Sequence, residues 1–203
     1  MWFSILIGML AGYLLGNLNG AVCMSSLMHD DVRSHGSGNA GLTNFIRNYG
    51  VGRAVYVILI DAGKAVIACL TVGLLLKPYG YYLEGAALGG LAVMLGHVFP
   101  ALLGFRGGKG ILSGFFVALV LDWRVALLIL VVFVIAYVLT KYVSLGSILA
   151  AATFSIGFGF MYWQRPVVMA CGIVMGALAI FMHRSNMARL VKGQEQRTNL
   201  FKK

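Results

Sequence analysis

The strongest constraint in this sequence is a series of apolar runs separated by short polar segments. Hydrophobic side chains make up 60% of the 203 residues and charged ones only 11%, whereas a soluble domain is about half apolar and a quarter charged. Inside a bilayer every backbone polar group must be paired within the protein, so each run is predicted to be a helix. The runs lie at roughly 2–27, 54–76, 84–104, 111–121, 125–140, 145–162 and 167–182. The sequence therefore predicts an all-α, polytopic membrane helix bundle of about seven transmembrane helices, with residues 1–203 as a single domain.

The run 111–121 is short for a membrane span, and the polar triplet 122–124 follows it directly. Because Asp122 and Arg124 are costly to bury in lipid, we predict two spans that meet at a tight polar turn. A single long, tilted helix is the alternative, and it would reduce the count to six.

The distribution of basic residues predicts the orientation of the bundle. With seven spans, the loops and tail on one side carry twelve basic residues, whereas the other side has only Lys77, Arg124 and Arg165. The twelve are Arg33, Arg47, Arg53, Arg106, Lys109, Lys141, Arg184, Arg189, Lys192, Arg197, Lys202 and Lys203. Cytoplasmic loops collect Lys and Arg, so the N-terminus is predicted outside and the C-terminus in the cytoplasm. This asymmetry accounts for most of the net charge of +10, and no nucleic-acid partner is needed to explain it.

Several polar or small residues within the spans predict internal packing. Gly8, Gly12, Gly16 and Gly20 follow one another at a spacing of four, which is typical of a helix face that neighbouring helices approach closely. Asn17 and Asn19 must find partners inside the bundle. Asp61 and Lys64 are predicted mainly to form a structural ion pair, and a role in the functional site is the second interpretation. Three cysteines without CxxC spacing indicate small buried side chains, and neither a disulfide nor a metal site is expected.

The first candidate site is the glycine-rich segment 36–44, followed by Arg47. Three glycines in six residues allow consecutive backbone N–H groups to face one anion, and Arg offers a fork that suits phosphate. The candidate phosphate-binding residues here are Gly36, Ser37, Gly38, Asn39, Thr43, Asn44 and Arg47. A plain turn between helices is the alternative interpretation.

The second candidate site is the Gly107-Gly108-Lys109-Gly110 loop, which leads into the run 111–121. Such a loop supplies backbone N–H groups, the positive end of a helix dipole and a mobile ammonium. It lacks the spacing of a Walker A loop, so nucleotide hydrolysis is not indicated. His97 precedes it within a span, where a paired structural histidine and a catalytic one are both open.

Two further polar segments fall on the same predicted side. The segment 141–147 brings the Ser144 hydroxyl to the membrane boundary, and the segment 183–195 carries His183, Asn186 and Glu195. On a continuing helix, His183 and Asn186 share a face. A basic helix that only meets anionic lipid is the alternative for the second segment.

These motifs resemble, in order, those of the bacterial acyl-phosphate:glycerol-3-phosphate acyltransferase (PlsY) family. The resemblance covers nearly the whole chain, through the segments GSGNAGLTN…R, GHVFPALLGFRGGKG, KYVSLGS and HRSNMARLVKGQE. It implies a bacterial inner-membrane enzyme, with its site on the cytoplasmic side, that moves a fatty acyl group from acyl phosphate to the first hydroxyl of glycerol 3-phosphate. Lysophosphatidic acid and phosphate would be the products, and no cofactor or metal is implied.

The resemblance also implies roles for the site residues. Ser37, Arg47, Lys109, His183 and Asn186 are the candidate catalytic residues. The candidate substrate- and phosphate-binding residues are Gly36, Gly38, Asn39, Thr43, Asn44, Gly107, Gly108, Gly110, Ser144 and Glu195. Because the acyl phosphate is already activated, we predict direct transfer, with Ser37 as a hydrogen-bond donor and not a nucleophile. The residues leave open whether the proton leaves through His183 or through the departing phosphate, and the resemblance favours the second, substrate-assisted route.

Other protein classes explain the sequence less completely. A transporter for a phosphorylated metabolite would bind near the membrane midplane, where Asp61, Lys64 and His97 are the only candidates, and no internal repeat is evident. A non-catalytic membrane subunit leaves the four polar motifs unexplained. The chain also lacks the His-x-x-x-x-Asp pair of the glycerophosphate acyltransferases that use coenzyme A or a carrier protein. The oligomeric state stays open, and a monomer is plausible.

Overall fold

The computed structural model describes residues 1–198, and within them the fold is entirely helical. Three short 3₁₀ turns, at Val32–Ser34, Lys77–Tyr79 and Ala101–Leu103, connect the longer helices. The α-helices are α1 (Trp2–Gly16), α2 (Gly20–Ser26), α3 (Leu42–Tyr49), α4 (Val51–Leu76), α5 (Tyr82–Val98), α6 (Ile111–Leu121), α7 (Trp123–Thr140), α8 (Val143–Met161), α9 (Pro166–Met182) and α10 (Arg184–Val191). Lys202 and Lys203, which were counted with the basic tail, lie outside the described residues.

The predicted membrane bundle is confirmed, with a smaller number of full-length spans. Four helices of the described chain are long and apolar enough to cross a bilayer, and the number rises to six if α1–α2 and α9–α10, bent by 45° and 53°, each count as one span. The remaining apolar run forms α6, which has eleven residues. At about 1.5 Å per residue it covers only about half of a 30 Å hydrocarbon core.

The break between α1 and α2 is stabilised by the asparagines predicted to need partners. Asn19 caps α2 by accepting a hydrogen bond from Val22 N at 3.0 Å, and its amide donates to Ala40 O at 2.9 Å. Asn17 Oδ1 accepts from Leu102 N at 3.0 Å. The first apolar run is therefore two helices rather than one, because the Asn19 cap and the bond from Asn17 Nδ2 to Tyr13 O satisfy backbone groups at the bend, while the contacts with Ala40 and Leu102 tie the bend to neighbouring segments.

The predicted polar turn between α6 and α7 is confirmed, so the two helices are separate. Asp122 caps α7 by accepting from Arg124 N at 2.9 Å, and its carboxylate also pairs with the Arg124 side chain at 2.7 Å. Tyr162 OH donates to the same carboxylate at 2.9 Å. The hydrogen bonds from Arg124 hold the pKa of Asp122 down at about 2, so it stays charged at the end of the bundle.

Close helix contacts explain the glycine stripe. A Cβ at Gly16 would lie 2.4 Å from Val93 O, and one at Gly20 would lie 2.7 Å from Val57 O. Only glycine permits these approaches, and they bring α1 and α2 against α5 and α4. The glycine-rich segment 36–41 is anchored through Ala40, which packs in a small apolar cluster with Val32 and Phe45.

Candidate functional site

The functional candidates gather around one cavity of about 810 Å³. Its polar lining comes mainly from the loops, α3 and α10, with Asp61 and His97 from α4 and α5 and two serines of α8, and most of its apolar lining comes from α6 to α9. Twelve of the fifteen predicted site residues line it: Gly36, Ser37, Asn39, Thr43, Asn44, Arg47, Lys109, Gly110, Ser144, His183, Asn186 and Glu195. Gly38, Gly107 and Gly108 are not among the lining residues.

The segment 36–41 is shaped by the side chain of Asn44, which faces back into it from α3. Its amide group donates to the carbonyls of Val32, His35 and Asn39 at 2.9–3.1 Å, and its Oδ1 accepts from Ser37 N at 3.1 Å. Gly36 and Gly38 have φ of 57° and 67°, which favours glycine. Asn44 therefore builds the loop, while the exposed Ser37 hydroxyl makes no hydrogen bond within residues 1–198 and is available to a ligand.

Arg47 faces the cavity from α3 and contacts the C-terminal segment. Its guanidinium donates to Gln196 Oε1 at 3.2 Å and to the Thr198 hydroxyl. Thr198 is held in turn, because its N–H donates to Lys141 O and its carbonyl accepts from Tyr137 OH, both at 3.0 Å. Burial lowers the pKa of Arg47, yet a guanidinium stays protonated in proteins. The site thus has a cation held by neutral groups that an anion could replace.

Lys109, from the second glycine loop, meets the face of α10. Its ammonium donates to Asn186 Oδ1, and Asn186 Nδ2 donates to Glu195 Oε1 at 2.7 Å. Glu195 Oε2 also accepts from Arg189 Nε at 2.7 Å. Burial, together with the nearby Arg189 charge, lowers the pKa of Lys109 to about 8. Burial raises the pKa of Glu195, but the bonds from Asn186 and Arg189 outweigh it, and the net shift is downward.

Two other cavity groups differ in how they are satisfied. The buried Ser144 hydroxyl influences the Glu195 carboxylate electrostatically but has no partner at hydrogen-bond distance within the described chain. His183 Nδ1 lies 2.8 Å from Ala179 O, and because a carbonyl only accepts, Nδ1 carries the proton. In the neutral ring, Nε2 of His183 therefore holds a lone pair, which suits a proton acceptor.

The predicted ion pair of α4 is confirmed and proves to be part of a larger buried cluster. Lys64 Nζ lies 2.8 Å from Asp61 Oδ1 and 2.8 Å from His97 Nδ1. It also donates to the carbonyls of Gly16 and Leu18 at the break between α1 and α2. Asp61 and His97 line the cavity as well, so this cluster joins the bend of the first span to the floor of the site.

Gly107 and Gly108 lie against the end of α5. A Cβ at Gly107 would lie 2.0 Å from His97 O, and one at Gly108 would lie 2.2 Å from His97 Nε2. Glycine is therefore needed here for close packing on His97, and phosphate binding by these two residues stays a prediction. Gly110, with φ of 79°, begins α6 beside the cavity.

Sequence analysis did not single out Gln194, Gln196 or Thr198, although the first two line the cavity and the last two contact Arg47. No motif marks these residues, since their position depends on how the chain turns back after α10. Arg189 also lines the cavity, and its spacing of three from Asn186 along α10 was the available signal. Among residues 1–198, no group of His, Cys, Asp or Glu could hold a metal ion.

Comparison with known proteins identifies one family. A family model described as glycerol-3-phosphate acyltransferase matches residues 6–193. The glycerol-3-phosphate acyltransferase of Thermoanaerobacter sp. (strain X514) is 38% identical over 199 residues, which covers 96% of each chain. That of Shouchella clausii (strain KSM-K16) is 38% identical over 201 residues, covering 97% of each.

Solved structures agree in the overall fold. The crystal structure of PlsY, an integral membrane glycerol 3-phosphate acyltransferase, in its glycerol 3-phosphate form superposes with a TM-score of 0.86 at 34% identity, and it covers 98% of this chain and 100% of that one. Its lysophosphatidic acid form gives a TM-score of 0.83 at 34% identity, with 97% and 96% covered. From the matched residues and the shared fold, this chain belongs to the glycerol-3-phosphate acyltransferase family.

Proposed function

We propose that this protein transfers a fatty acyl group from acyl phosphate to the sn-1 hydroxyl of glycerol 3-phosphate, giving lysophosphatidic acid and phosphate. The observation that carries the proposal is the composition of the cavity. Its polar lining includes Ser37, Arg47 and Lys109 from separate segments, and the part lined by α6 to α9 is largely apolar. Two phosphate groups and one acyl chain match such a lining. The same protein family acts on glycerol 3-phosphate.

The apolar part of the cavity accommodates the acyl chain. Its walls come from α6, α7, α8 and α9, and they carry aromatic and aliphatic side chains without charge. They include Phe115, Phe116, Ile129, Phe133, Phe154 and Met175. Burial of an acyl chain there contributes about 0.8 kcal/mol for each methylene group that leaves water. The polar headgroups then remain between the two glycine loops and α10.

The chemistry needs a single displacement at the acyl carbonyl carbon. The hydroxyl oxygen of glycerol 3-phosphate forms the new ester bond, the bond between the carbonyl carbon and the phosphate oxygen breaks, and phosphate leaves. Nε2 of His183, held as an acceptor by the Ala179 carbonyl, takes the hydroxyl proton. Ser37 and the cations stabilise the negative charge that develops on the carbonyl and phosphate oxygens.

A covalent serine intermediate is not part of this proposal. Serine becomes a good nucleophile when a base accepts its proton, and no imidazole contacts the Ser37 hydroxyl within residues 1–198. The nearest histidine in sequence, His35, is instead paired with Asp30 at 2.9 Å. Acyl phosphate is a mixed anhydride with a good leaving group, so an acyl-enzyme step would gain little.

The activity is tested with purified protein in detergent, supplied with acyl phosphate and glycerol 3-phosphate. We expect phosphate release coupled one-to-one to lysophosphatidic acid, detected by mass spectrometry. Acyl coenzyme A in place of acyl phosphate is expected to give no product. A protein that produces lysophosphatidic acid only from the coenzyme A thioester would disprove the proposed donor.

The proposal also places the site at the cytoplasmic face of a bacterial inner membrane, with the N-terminus outside. The basic loops support this orientation, since they coincide with the loops that form the polar end of the cavity. Single cysteines introduced at Ser34 and Tyr81, in a version without Cys23, Cys69 and Cys171, test it. A membrane-impermeant reagent added outside should label position 81 and leave position 34 unlabelled. Labelling of position 34 from outside would reverse the orientation.

A further inference from the structure

The two ring nitrogens of His97 face different surroundings. Nδ1 lies 2.8 Å from Lys64 Nζ, whereas Nε2 has no hydrogen-bond partner among residues 1–198. His97 is 4% exposed, and it lines the cavity. Within residues 1–198 the fully buried side-chain N and O atoms without a partner are Glu84 Oε2 and Ser144 Oγ, so Nε2 of His97 is instead open to the cavity, where a polar ligand can accept from it.

Lys64 determines which nitrogen of His97 carries the proton. An ammonium has only donors, so Nδ1 beside it must present a lone pair. Asp61 Oδ1, at 2.8 Å from Nζ, favours the charged form of Lys64, and Gly20 N donates to the same oxygen at 3.1 Å. In the neutral ring the proton then lies on Nε2. Asp61 and Lys64 therefore prepare a fixed N–H donor at the side of the ring that faces away from them.

Nε2 of His97 lies beside both glycine-rich segments. A Cβ on Gly108 would lie 2.2 Å from Nε2 and 2.8 Å from Ala40 O, so both glycine-rich segments converge at this point. Gly108 N also donates to His97 O at 3.1 Å, which ties the ring to the loop that carries Lys109. The Gly108 backbone therefore packs against one side of Nε2, and a side chain at this position would clash with the ring.

We propose that Nε2–H of His97 donates a hydrogen bond to a substrate phosphate oxygen held beside the Lys109 loop. His97 would be a further catalytic residue, and Lys64 and Asp61 would be positioning residues that set its tautomer. The inference rests on the proposed function, because acyl phosphate and glycerol 3-phosphate both present phosphate oxygens. Kinetics with each substrate varied separately distinguishes the two sources.

The tautomer is tested by ¹⁵N NMR of protein labelled at its histidine rings, in detergent micelles. We expect the His97 pair to show an unprotonated Nδ1 and a protonated Nε2, and we expect inorganic phosphate or glycerol 3-phosphate to shift the Nε2 resonance. The His97→Gln protein assigns the signals by their loss. Lys64→Met should abolish the fixed tautomer, whereas the matched Lys77→Met, at an exposed lysine, should leave it unchanged.

A proton on Nδ1 of the unmodified protein, or an Nε2 resonance that responds to neither phosphate compound, would overturn the proposal. This experiment needs no turnover, so it stands even where the assay with acyl phosphate fails. If the protein is inactive but its His97 resonance still responds to phosphate, the proposed reaction is refuted. The assignment of His97 as a hydrogen-bond donor to phosphate is then retained.

Steady-state kinetics then tests directly whether the Nε2–H of His97 contributes to substrate binding. His97→Leu removes it and should raise KM for one phosphate substrate by about 10- to 150-fold. His97→Gln should retain part of the binding, since its amide N–H reaches toward the position of Nε2. If KM for glycerol 3-phosphate increases, His97 contacts the phosphate of the acyl acceptor. If KM for acyl phosphate increases, His97 contacts the phosphate of the acyl donor. Equal KM values in the unmodified, Gln and Leu proteins, with folding verified by thermal unfolding, would show that His97 is only structural.

Discussion

His97 and His183 line the same cavity, yet the partners of their Nδ1 atoms favour opposite tautomers. His97 Nδ1 accepts from the Lys64 ammonium, so its Nε2 is a donor, whereas His183 Nδ1 donates to the Ala179 carbonyl, so its Nε2 is an acceptor. The difference lies wholly in the partner of the other ring nitrogen. Two identical side chains thereby suit opposite tasks, one stabilising phosphate oxygens and the other receiving a proton.

The largest expected effect comes from replacing His183, whose Nε2 is the proposed proton acceptor. His183→Gln should lower kcat by about 10²–10⁴-fold, because an amide cannot take the hydroxyl proton as a base does. Phosphate release at saturating substrates measures it. The same substitution at His97 keeps a donor and should cost much less. Recovery of kcat in His183→Gln compared with His183→Leu would show that the ring only orients the hydroxyl and that the departing phosphate takes the proton.

The next largest effect concerns Ser37, whose hydroxyl is proposed, like Nε2–H of His97, as a hydrogen-bond donor to the substrate. Ser37→Ala should lower activity by about 10²–10³-fold, as the loss of an oxyanion-type donor does. Mass spectrometry of protein incubated with acyl phosphate alone should find no adduct. A stoichiometric acyl group on Ser37 that glycerol 3-phosphate removes would replace direct transfer with a two-step mechanism.

Lys109 lies between the two histidines of this comparison. Its ammonium contacts Asn186, three residues after His183, and its neighbour Gly108 packs on His97. Lys109→Ala should weaken phosphate binding by about 1.5–3 kcal/mol, or about 10- to 150-fold in KM. Lys109→Arg should recover little, because a planar fork does not replace a compact ammonium in a tight loop. Lys77→Ala, at an exposed lysine, is the control, and full activity in Lys109→Ala would remove Lys109 from the site.

The smallest expected effect is a pH dependence that arises from the same lysine. Burial lowers the pKa of Lys109 to about 8, so the charged form that attracts phosphate is lost as the pH rises through that value. Substrate phosphates are already fully ionised there, since their second pKa is about 6. KM for the phosphate substrate should therefore increase above pH 8 by up to about tenfold per unit. In Lys109→Ala this rise should disappear.

The sequence by itself determined the membrane class, the polar turn at Asp122 and the segments that form the site, but not the break within the first apolar run. Apolar runs force helices in lipid, and Asp122 is too polar for a helix interior there, so the turn after α6 follows from composition. The glycine, hydroxyl and cationic residues of the motifs are likewise local features. Most of the predicted site residues consequently line one cavity.

Only the tertiary structure decided how these segments act on one another. Asp61 and Lys64 are three residues apart, so their pairing was predictable, but His97 lies 33 residues beyond Lys64 and joins them only through the packing of α4 on α5. The contacts of Arg47 with Gln196 and Thr198 are likewise long-range. Hydrogen bonding at one ring nitrogen fixes the chemistry of the other, and no local pattern records which partner a distant helix will bring.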